Sequence, residues 1–395
     1  MSLRLNLVGY RYSPAVGGAE NYARRLLLEL DGEVDARVAT VLTENRTDWL
    51  RSLVDGVRDQ PFEYEVDGRP VVALARWPAG TRRRLRLLAP AYHLPGSPAP
   101  DQMGRLLAPH LGPAVDGAQV VHNVFMAREA FSVGLLDAAR KRGQRFVFTP
   151  LRHQRPLGWS SPAFRRLYRE SDALIALTEG ERHWLIGKGA HPDRVHVIGL
   201  GPQNDPTVSS AAGRALAGDR PFVLFLGQLH AYKGYAALLG AARLLADLDV
   251  GFIFAGPDVR GHSRRLEAAA PNVRFLGTVS QPERDSLLAG CSVLCVPSAR
   301  ESFGSVVVEA WAAGRPVVGG PAEATRELIE DGVDGFTVRQ RPIEVAARLR
   351  RLLEDPALAD RMGEAGRKKV ATRLQWPALA RAHLDVYRSV LGTRR

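Results

Sequence analysis

The amino-acid sequence predicts an α/β protein made of two doubly wound domains in tandem. The chain has 395 residues, of which 45% are hydrophobic and 24% charged, enough to bury two globular cores. Short apolar segments alternate with helical stretches from end to end, which is typical of parallel sheets with crossover helices. Residues 199–221 are rich in Gly, Pro, Ser and Asp, and the alternation restarts after them, which predicts a linker. We expect domains at 1–200 and 201–374, with a C-terminal helix at 375–395 that joins the first.

The first domain begins with the strand LRLNLV, a glycine-bearing loop and the amphipathic helix AENYARRLLLEL. The next strand is ARVATVLT. The stretch FEYEVDGRPVVALAR alternates apolar and polar residues around Asp67-Gly68, a strong hairpin signal that interrupts the parallel pattern once. Four further strands are predicted at AQVVHN, RFVFTP, ALIALT and RVHVIG.

The second domain starts with the strand FVLFLG, the loop HAYKG and the helix YAALLGAARLLADL. Its other predicted strands are VGFIFAG, VRFLG, SVLCVPS and RPVVGG. The last stretch, WPALARAHLDVYRSVLGTRR, is predicted to be helical.

The formal net charge is +12, and nearly all of the positive excess is arginine. The densest basic run is TRRRLRLL, from Thr81 to Leu88. It is either a solvated surface or one face of an amphipathic segment that contacts acidic lipid or an acidic substrate. Aromatic residues do not interleave with it, and the sequence carries no nucleic-acid-binding motif, so we expect no nucleic acid as a partner.

The two cysteines, Cys291 and Cys295, share the segment GCSVLCVPS, where free buried thiols are expected rather than a disulfide or a metal site. Apolar runs in the sequence fall short of the roughly 20 residues that span a bilayer. The start, MSLRLNLVGYRYSP, is too short and glycine-interrupted for a signal peptide. We therefore expect a cytoplasmic protein, with peripheral contact at the inner face of an anionic membrane left open.

Gly17-Gly18 stand directly before the first helix, where unpaired N–H groups and the helix dipole attract anions. The pair is either a diphosphate-binding turn or a plain tight turn. The dinucleotide fingerprint G-x-G-x-x-G is absent from the sequence, which argues against a nicotinamide or flavin enzyme.

Lys233 lies in the loop GQLHAYKGY, one residue before Gly234. Lysine occurs only at positions 141, 188, 233, 368 and 369 of this arginine-rich chain. A compact ammonium suits a point charge on a phosphate, so we interpret Lys233 as a phosphate ligand rather than a solvated loop residue.

The segment ESFGSVVVEAWAAGRPVV carries two carboxylates, Glu301 and Glu309, in a run that is otherwise apolar or small. A buried carboxylate is costly unless something binds it. With a helix beginning near Gly304, the two groups would stand roughly 12 Å apart if both were helical, too far for the acid and nucleophile of a retaining glycosidase. We expect them to bind two parts of one extended ligand. A nucleoside diphosphate sugar offers sugar hydroxyls, a diphosphate and ribose hydroxyls in that order.

The segment PSARESFGSVVVEAWAAGRPVV, followed by GVDGFTV and joined by GGAE and YKGY, resembles the retaining GT-B glycosyltransferases of family four. The likeness covers nearly the whole chain and is strongest from Phe222 to Val338. It implies two Rossmann-like domains facing a central cleft. The N-terminal one would bind the acceptor and the C-terminal one the nucleotide-sugar donor, and the final helix would cross back to the N-terminal domain.

The resemblance implies a role for each residue at a matching position. Glu301 would bind hydroxyls of the donor sugar, His122 would contact the same sugar, and Lys233 would hold the diphosphate, which makes these three the expected catalytic residues. Glu309 would bind the ribose, the backbone of Thr278 would read the base, and Leu287 would pack nearby. The other implied donor-site residues are Gly17 and Gly18 at the diphosphate, Gln228, Arg300, and, through backbone amides, Phe303, Gly304, Ser305 and Val306.

The chain departs from the family pattern at Gln228, where the family usually has an arginine that shares the diphosphate with the lysine. A neutral amide can donate a hydrogen bond to a phosphate oxygen but cannot neutralise it. Either another arginine substitutes, with Arg300 as the candidate, or turnover is slower. The donor-sugar preference is open for the same reason.

The resemblance implies transfer with retention, in which the acceptor hydroxyl attacks from the face that the diphosphate leaves and no protein nucleophile is used. We expect no metal and no cofactor, and we expect the Asp-x-Asp at Asp247 to Asp249 to be solvated. UDP-sugar is the expected donor, with GDP- and dTDP-sugars open.

Two other functions stay open on the sequence. One is a nucleotide-sugar epimerase or hydrolase of the same fold, and the other is a non-catalytic sugar-nucleotide binding protein, which Gln228 would favour. The acceptor, whether a small molecule, a glycolipid or a glycan, is unidentified. Its expected wall is the segment TPLRHQRPLGW, with Arg152, His153 and Trp159.

Overall fold

The computed structural model describes residues 2–46, 48–125, 128–153, 158–205, 207–258, 261 and 270–392. The chain divides into two compact units. Unit 1 consists of Met1–Gly199 and Trp376–Arg395, and unit 2 consists of Leu200–Gln375.

Unit 1 contains one eight-stranded sheet. Its strands are β1 (Leu3–Gly9), β2 (Val34–Thr40), β3 (Phe62–Val66), β4 (Arg69–Ala73), β5 (Val120–Val124), β6 (Arg145–Thr149), β7 (Ala173–Ala176) and β8 (Val195–Val197). The order across the sheet is β3-β4-β2-β1-β5-β6-β7-β8. β3 and β4 are antiparallel, whereas the other described pairs of this sheet are parallel. The strands predicted for this half of the chain are confirmed.

The hairpin at Asp67-Gly68 has the backbone that its sequence demands. Val66 pairs with Arg69, which leaves a two-residue loop between β3 and β4. Asp67 and Gly68 have φ angles of 51° and 74°. A two-residue hairpin loop of this type needs positive φ at both positions, and Asp-Gly is among the sequences that accept it.

The described α-helices of unit 1 that precede unit 2 connect the strands of this sheet. They are α1 (Gly18–Glu29), α2 (Trp49–Asp55), α3 (Ala79–Leu88), α4 (Ala99–Leu107), α5 (Gly112–Val115), α6 (Glu129–Lys141), α7 (Pro162–Glu170) and α8 (Glu179–Gly187). Every residue of β5 and β7 is buried, as expected for parallel strands with helices on both faces.

Unit 2 contains a six-stranded sheet. Its strands are β9 (Phe222–Leu226), β10 (Gly251–Ala255), β11 (Val273–Gly277), β12 (Val293–Val296), β13 (Val317–Gly319) and β14 (Gly335–Thr337). Their order is β11-β10-β9-β12-β13-β14, with all described pairs parallel. β14 was not predicted, because three residues after a turn carry too little periodicity to mark a strand.

The other described α-helices follow in chain order. They are α9 (Ser210–Ala217), α10 (Tyr235–Leu244), α11 (Gln281–Gly290), α12 (Ser305–Ala312), α13 (Glu323–Leu328), α14 (Pro342–Glu354), α15 (Pro356–Arg373) and, in unit 1, α16 (Trp376–Gly392). The last of these packs on α1, where the rings of Tyr22 and Trp376 stack with centroids 6.3 Å apart. The predicted C-terminal helix is therefore confirmed.

The predicted linker at 199–221 is only partly a linker, because α9 lies inside it. Ser209 caps this helix by accepting a hydrogen bond from the Ala211 amide. α9 packs so closely on α11 that a Cβ at Gly213 would stand 2.0 Å from the Ser286 carbonyl oxygen. Composition rich in Gly and Ser indicated flexibility, whereas here the small residues permit close helix packing.

Each sheet has a reversal point, which is the place where successive strands stop being added on one side of the first strand and begin to be added on its other side. In unit 1 this point lies between β1 and β5, and in unit 2 it lies between β9 and β12. In open α/β sheets, ligands bind outside the carboxyl ends of the strands at such a point. The loops after β1, β5, β9 and β12 are therefore the first places to look for a functional site.

Candidate active site

The loop after β9 and the loop after β12 bring Lys233 and Glu301 together. The Lys233 Nζ lies 2.7 Å from the Glu301 Oε1, and the two side chains are 20% and 14% exposed. Burial alone would lower the pKa of Lys233, but the adjacent Glu301 carboxylate outweighs burial and raises this pKa. The sequence singled out both residues, and the structure adds that they pair with each other.

Gly234 fixes the backbone that presents Lys233. Its φ is +79°, and a Cβ there would stand 2.4 Å from the Pro297 carbonyl oxygen. A larger residue would therefore meet both backbone strain and a collision. The glycine lets the loop after β9 lie directly against the end of β12.

Aromatic and cationic side chains surround the ion pair. The Tyr232 ring centroid lies 5.8 Å from the Lys233 Nζ and 5.9 Å from the Arg300 Cζ. His230 stacks on Tyr232 at 5.3 Å, and Gln228 in the same loop is exposed. With two cations and one carboxylate, this surface suits a ligand that carries negative charge and hydroxyl groups.

The start of α12 lies next to Glu301 in the chain. Gly304 precedes the helix with φ at 103°, a left-handed conformation that favours glycine. Phe303 and Gly304 are buried, whereas Ser305 and Val306 are half-buried. The first amides of a helix have no partner within it, so those of Ser305 and Val306 are the donors that α12 can offer to an anion.

Glu309 lies in the interior of unit 2, and its place differs from the expectation. Its side chain is 2% exposed, and the Arg284 guanidinium donates to its Oε2. Burial raises the pKa of Glu309, while Arg284 and the Gln203 amide oppose the rise. The carboxylate expected to be open to ribose is thus already paired with an arginine that the sequence did not single out. The two residues are 25 positions apart, and no local pattern links them.

The two residues expected at the base are placed differently. Thr278 is exposed directly after β11, where a ligand can reach it. Leu287 is 0% exposed in α11, a helix that packs against α9. Its side chain belongs to the core, and its expected packing near a base stays a prediction.

In unit 1, Gly17 and Gly18 begin α1 beside an ion pair. The Arg11 Nε lies 2.5 Å from the Glu20 Oε1, and the Glu20 side chain is 2% exposed. A Cβ at Gly17 would stand 2.4 Å from the Glu20 Oε2, whereas a Cβ at Gly18 would meet nothing within 4 Å. The end of α1 expected to hold a diphosphate therefore already holds a carboxylate, and Arg11 offsets its charge. The motif GGAE contained this signal in Glu20, and Arg11 was missed.

His122 has an interior position in β5. It is 0% exposed, its Nδ1 lies 2.8 Å from the Tyr387 hydroxyl, and its Nε2 lies 2.7 Å from the Thr149 Oγ1. Both ring nitrogens are satisfied by the protein, and burial lowers the pKa of this histidine. The expected sugar contact by His122 is not supported, because the buried ring has no polar atom left for a ligand. Its role is to join β5 and β6 to α16.

The three residues expected to line the acceptor site lie near one another, but two of them are buried. Trp159 is 8% exposed and meets the His153 ring at 5.7 Å. Arg152 is 9% exposed, with its Cζ 4.5 Å from the Trp184 ring centroid. Only His153 is half-buried, and residues 154–157 of this segment lie outside the described residues.

A buried carboxylate at the start of α6 also escaped the sequence analysis. Tyr92 and Ser161 donate to the two oxygens of Glu129, at 3.0 and 3.2 Å. Burial raises the pKa of Glu129. Glu129 follows the reversal point at β5, so the chain topology could have indicated it, but its burial depends on the fold.

Two other expectations concern metal ions and thiols. Asp247 is paired with Arg350 at 2.7 Å and Asp249 is 91% exposed, so the Asp-x-Asp is solvated as expected. Among the described residues, groups of three or more His, Cys, Asp or Glu side chains arranged to hold a metal ion are absent. Cys291 and Cys295 are free and buried, and burial raises the pKa of Cys291 to about 12.

Two protein-family models match the chain. The model described as "Glycosyl transferases group 1" matches residues 210–369, and the "Glycosyl transferase 4-like domain" matches residues 17–201. The first contains Lys233, Arg284, Glu301 and Glu309, and the second contains α1 and β5. Together the two models span most of both units.

Curated relatives carry related names. A D-inositol 3-phosphate glycosyltransferase of Nocardioides sp. is 34% identical over 248 residues, covering 55% of this chain and 54% of that protein. An alpha-maltose-1-phosphate synthase of Mycolicibacterium smegmatis is 29% identical over 259 residues, covering 58% of this chain and 66% of that protein. The matched region thus spans only about half to two thirds of the length of these relatives.

Solved structures share the fold over the whole chain. A sucrose-phosphate synthase from Thermosynechococcus elongatus has a TM-score of 0.71 at 19% identity, covering 99% of both chains. Anabaena Alr3699/HepE in complex with UDP-glucose has a TM-score of 0.69 at 19% identity, covering 98% of this chain and 100% of that chain. From the two family matches and this shared fold, we conclude that the chain belongs to the group 1 glycosyltransferases of the GT4 type, with a GT-B fold.

Proposed function

We propose that the protein is a retaining glycosyltransferase that moves a sugar from a nucleoside diphosphate sugar to an acceptor hydroxyl. The observation that carries this proposal is the Lys233–Glu301 pair at the reversal point of unit 2, beside the start of α12. An ammonium suits the diphosphate, and a carboxylate suits the sugar hydroxyls. Unit 2 would bind the donor and unit 1 the acceptor.

The chemistry follows from what these groups can do. The acceptor oxygen bonds to the anomeric carbon as the bond from that carbon to the phosphate oxygen breaks, and the departing phosphate takes the acceptor's proton. Lys233 and the amides of Ser305 and Val306 stabilise the charge that develops on the diphosphate. Glu301 orients the sugar. We propose that the reaction needs neither a metal ion nor a protein nucleophile, which fits the engagement of Glu301 with Lys233 and of Glu309 with Arg284.

UDP-glucose is the first donor to examine. The Anabaena neighbour is described in complex with UDP-glucose, which supports a UDP-sugar, with GDP- and dTDP-sugars as the alternatives. The curated relatives act, by their names, on inositol phosphate or form maltose phosphate. Phosphorylated polyols and sugars therefore join glycolipids and glycans as candidate acceptors.

The test is a nucleotide-release assay with and without acceptor, after thermal-shift screening of the three classes of donor. A transferase releases UDP at a rate that depends on the acceptor. Release that is equally fast without acceptor would show a hydrolase, and donor binding without turnover across the acceptor panel would show a binding protein. Failure of every nucleoside diphosphate to bind would overturn the proposal.

We propose in addition that α3 makes peripheral contact with an anionic membrane, on the cytoplasmic side that free thiols favour. Leu87 on α3 is 77% exposed, and Arg83 and Arg84 on the same helix are exposed. Leu94, which follows α3 in the chain, is 61% exposed. A groove of about 460 Å³ lies between α3 and α4, lined by Arg84, Leu87, Leu88, Gln102, Arg105 and Leu106. Apolar side chains flanked by guanidinium groups match the interface of an acidic lipid surface. Among the described helices, none is long and apolar enough to cross a membrane.

Co-sedimentation with vesicles tests this contact. The protein should bind vesicles of phosphatidylglycerol and phosphatidylcholine more tightly than vesicles of phosphatidylcholine alone. The triple variant R83A/R84A/L87A should lose that preference, while R361A, which removes an exposed arginine in unit 2, should keep it. Equal binding to both vesicles, or no effect of the triple variant, would overturn the contact.

A further inference from the structure

Arg284 is paired with Glu309, the carboxylate that was expected to bind a ribose. It stands in the first turns of α11, with a side chain that is 19% exposed, and its guanidinium contacts Glu309 and, at 3.3 Å, the Asp285 Oδ1. Asp285 has other partners, because the Gln281 side chain and the Asp205 amide donate to it at 2.8 and 3.1 Å. Glu309 is therefore the group that depends most on Arg284.

A second observation near Glu309 indicates an unfilled polar contact. The Asn204 Nδ2 donates to the Glu309 carbonyl oxygen at 3.1 Å, while the Asn204 Oδ1 is buried and accepts no hydrogen bond. Asn204 is 8% exposed. A buried acceptor without a donor is unusual in a folded protein. A hydroxyl group of a bound ligand would supply the missing donor.

The proposed donor site lacks one of the cations that the family pattern has. Gln228 is neutral and exposed where the family pattern has an arginine, and Lys233 is engaged with Glu301. Lys233, Arg300 and Glu301 together leave a single net positive charge, which is less than the negative charge of a diphosphate. Glu309 lies one helical turn beyond Ser305, about 6 Å along the axis of α12. The Arg284 guanidinium, which contacts Glu309, is therefore within reach of a phosphate at the start of this helix.

We propose that Arg284 is a phosphate ligand of the donor site that is held on Glu309 until a ribose takes its place. This inference rests on the proposed function and names the cation that Gln228 lacks. When the nucleotide binds, ribose hydroxyls donate to Glu309, and the released guanidinium turns to the adjacent phosphate. Arginine suits this exchange because it keeps its charge in both positions and can bind phosphate through two N–H groups.

A ligand series separates this role from a structural one. Affinities for uridine, UMP and UDP are measured by calorimetry for the wild type, R284A and R300A, with R361A as the matched control. R284A should weaken binding of UMP and UDP by roughly 10- to 100-fold, the value of one charge-assisted hydrogen bond. Binding of uridine should be unchanged or tighter, because Glu309 no longer has to release an arginine. R300A should have the smaller effect on UDP.

A rescue experiment tests the same inference from the other side. In the R284A background, Q228R restores an arginine to the phosphate region and should recover most of the lost UDP affinity. If R284A does not fold, the comparison of R284M/E309Q with E309Q removes the cation without leaving a buried carboxylate. The same selective loss of phosphate-dependent affinity is expected there.

The outcomes that overturn the inference are distinct from failure of the proposed function. Equal loss of affinity for all three ligands would show that Arg284 only supports the fold around Glu309. Unchanged affinity for UDP in R284A, or a larger loss in R300A than in R284A, would assign the phosphate to another residue. If the wild-type protein bound none of UDP, GDP and dTDP, the donor site itself would be wrong.

Discussion

The two units have the same kind of reversal point in their sheets, yet they satisfy the polar groups around it differently. In unit 1 these groups are buried and paired with one another: His122 is hydrogen-bonded to Tyr387 and Thr149, and Glu20 forms an ion pair with Arg11. In unit 2, Lys233 and Glu301 pair at the edge of solvent, with 20% and 14% of their side chains exposed. Topology alone therefore does not make a ligand site. The charged groups must also be reachable.

The difference has a physical consequence for substitution. Polar groups that are buried and mutually bonded contribute to stability, and removing one leaves its partner without a hydrogen bond. Charged pairs that are partly exposed cost little to separate, so a ligand can replace one member. We expect variants in unit 1 to change unfolding, and variants in unit 2 to change binding and turnover.

The largest effect is expected at Glu301. Glu301→Ala removes the group that we propose orients the donor sugar, so kcat should fall by roughly 10²- to 10³-fold, as when a single positioned contact is lost in other enzymes. Affinity for the nucleoside diphosphate should stay within a few-fold, because Lys233 remains. Steady-state kinetics and calorimetry measure the two quantities, with Glu330→Ala, an exposed acid of unit 2, as the control. Full activity in Glu301→Ala would remove this residue from the site.

The second effect is on the pH dependence of the free energy of unfolding. It tests whether the polar groups of unit 1 are buried and bonded to one another. Burial lowers the pKa of His383 to about 4, and His122 is shifted in the same direction by burial and by His383. The unfolded chain then binds more protons than the folded one below the usual histidine pKa near 6.5. The free energy of unfolding should be highest above that pH. Protonation of His383 alone should lower it by about 3 kcal/mol as the pH drops towards 4, and protonation of His122 should lower it further.

Urea unfolding followed across this pH range measures that loss. His383→Gln should flatten the dependence, because it removes a group whose proton uptake drives unfolding. His93→Gln changes an exposed histidine and should leave the dependence as in the wild type. The titratable groups that contact His383 include the Tyr22 hydroxyl, which lies at its Nε2, and the rings of His122 and Tyr387. A pH profile that is flat in the wild type would contradict the closed interior.

The third effect concerns Lys233. Lys233→Ala removes the ammonium proposed to bind the diphosphate and should weaken binding of UDP by about 1.5–3 kcal/mol. The loss should be smaller for uridine, which has no phosphate. Calorimetry of Lys233→Ala beside Lys368→Ala, which alters an exposed lysine on α15, gives the comparison. Equal UDP affinity in the two variants would contradict the expectation that the partly exposed charged groups of unit 2 bind the nucleotide.

The smallest effect is expected at Tyr387. Tyr387→Phe deletes the hydroxyl that meets the His122 Nδ1 and should destabilise the protein by about 1–3 kcal/mol, the cost of a buried group left unsatisfied. Affinity for UDP should not change, because the residue lies in the interior of unit 1. Thermal unfolding and calorimetry on the same samples check both statements. A large loss of UDP affinity at unchanged stability would return His122 to the donor site.

Several features of the site followed from the sequence, for reasons that are local. Lys233 next to Gly234, and Glu301 just before a helix start, are marked by residues adjacent in the chain. The structure brings these two together because β9 and β12 are neighbours in the sheet. Arg284 could not be found in this way, because its contact with Glu309 depends on how α11 packs beside α12.

The sequence by itself determined the alternation of strands and helices, the hairpin at Asp67-Gly68 and the family resemblance, since each depends on spacing along the chain. Only the tertiary structure decided which polar groups are reachable. His122 and Leu287 are fully buried, whereas Gln228 and Thr278 are exposed. Burial depends on neighbours from distant parts of the chain, so residue type and spacing cannot fix it. The same dependence separates His122, which is buried and bonded on both ring nitrogens, from Lys233, which is partly exposed.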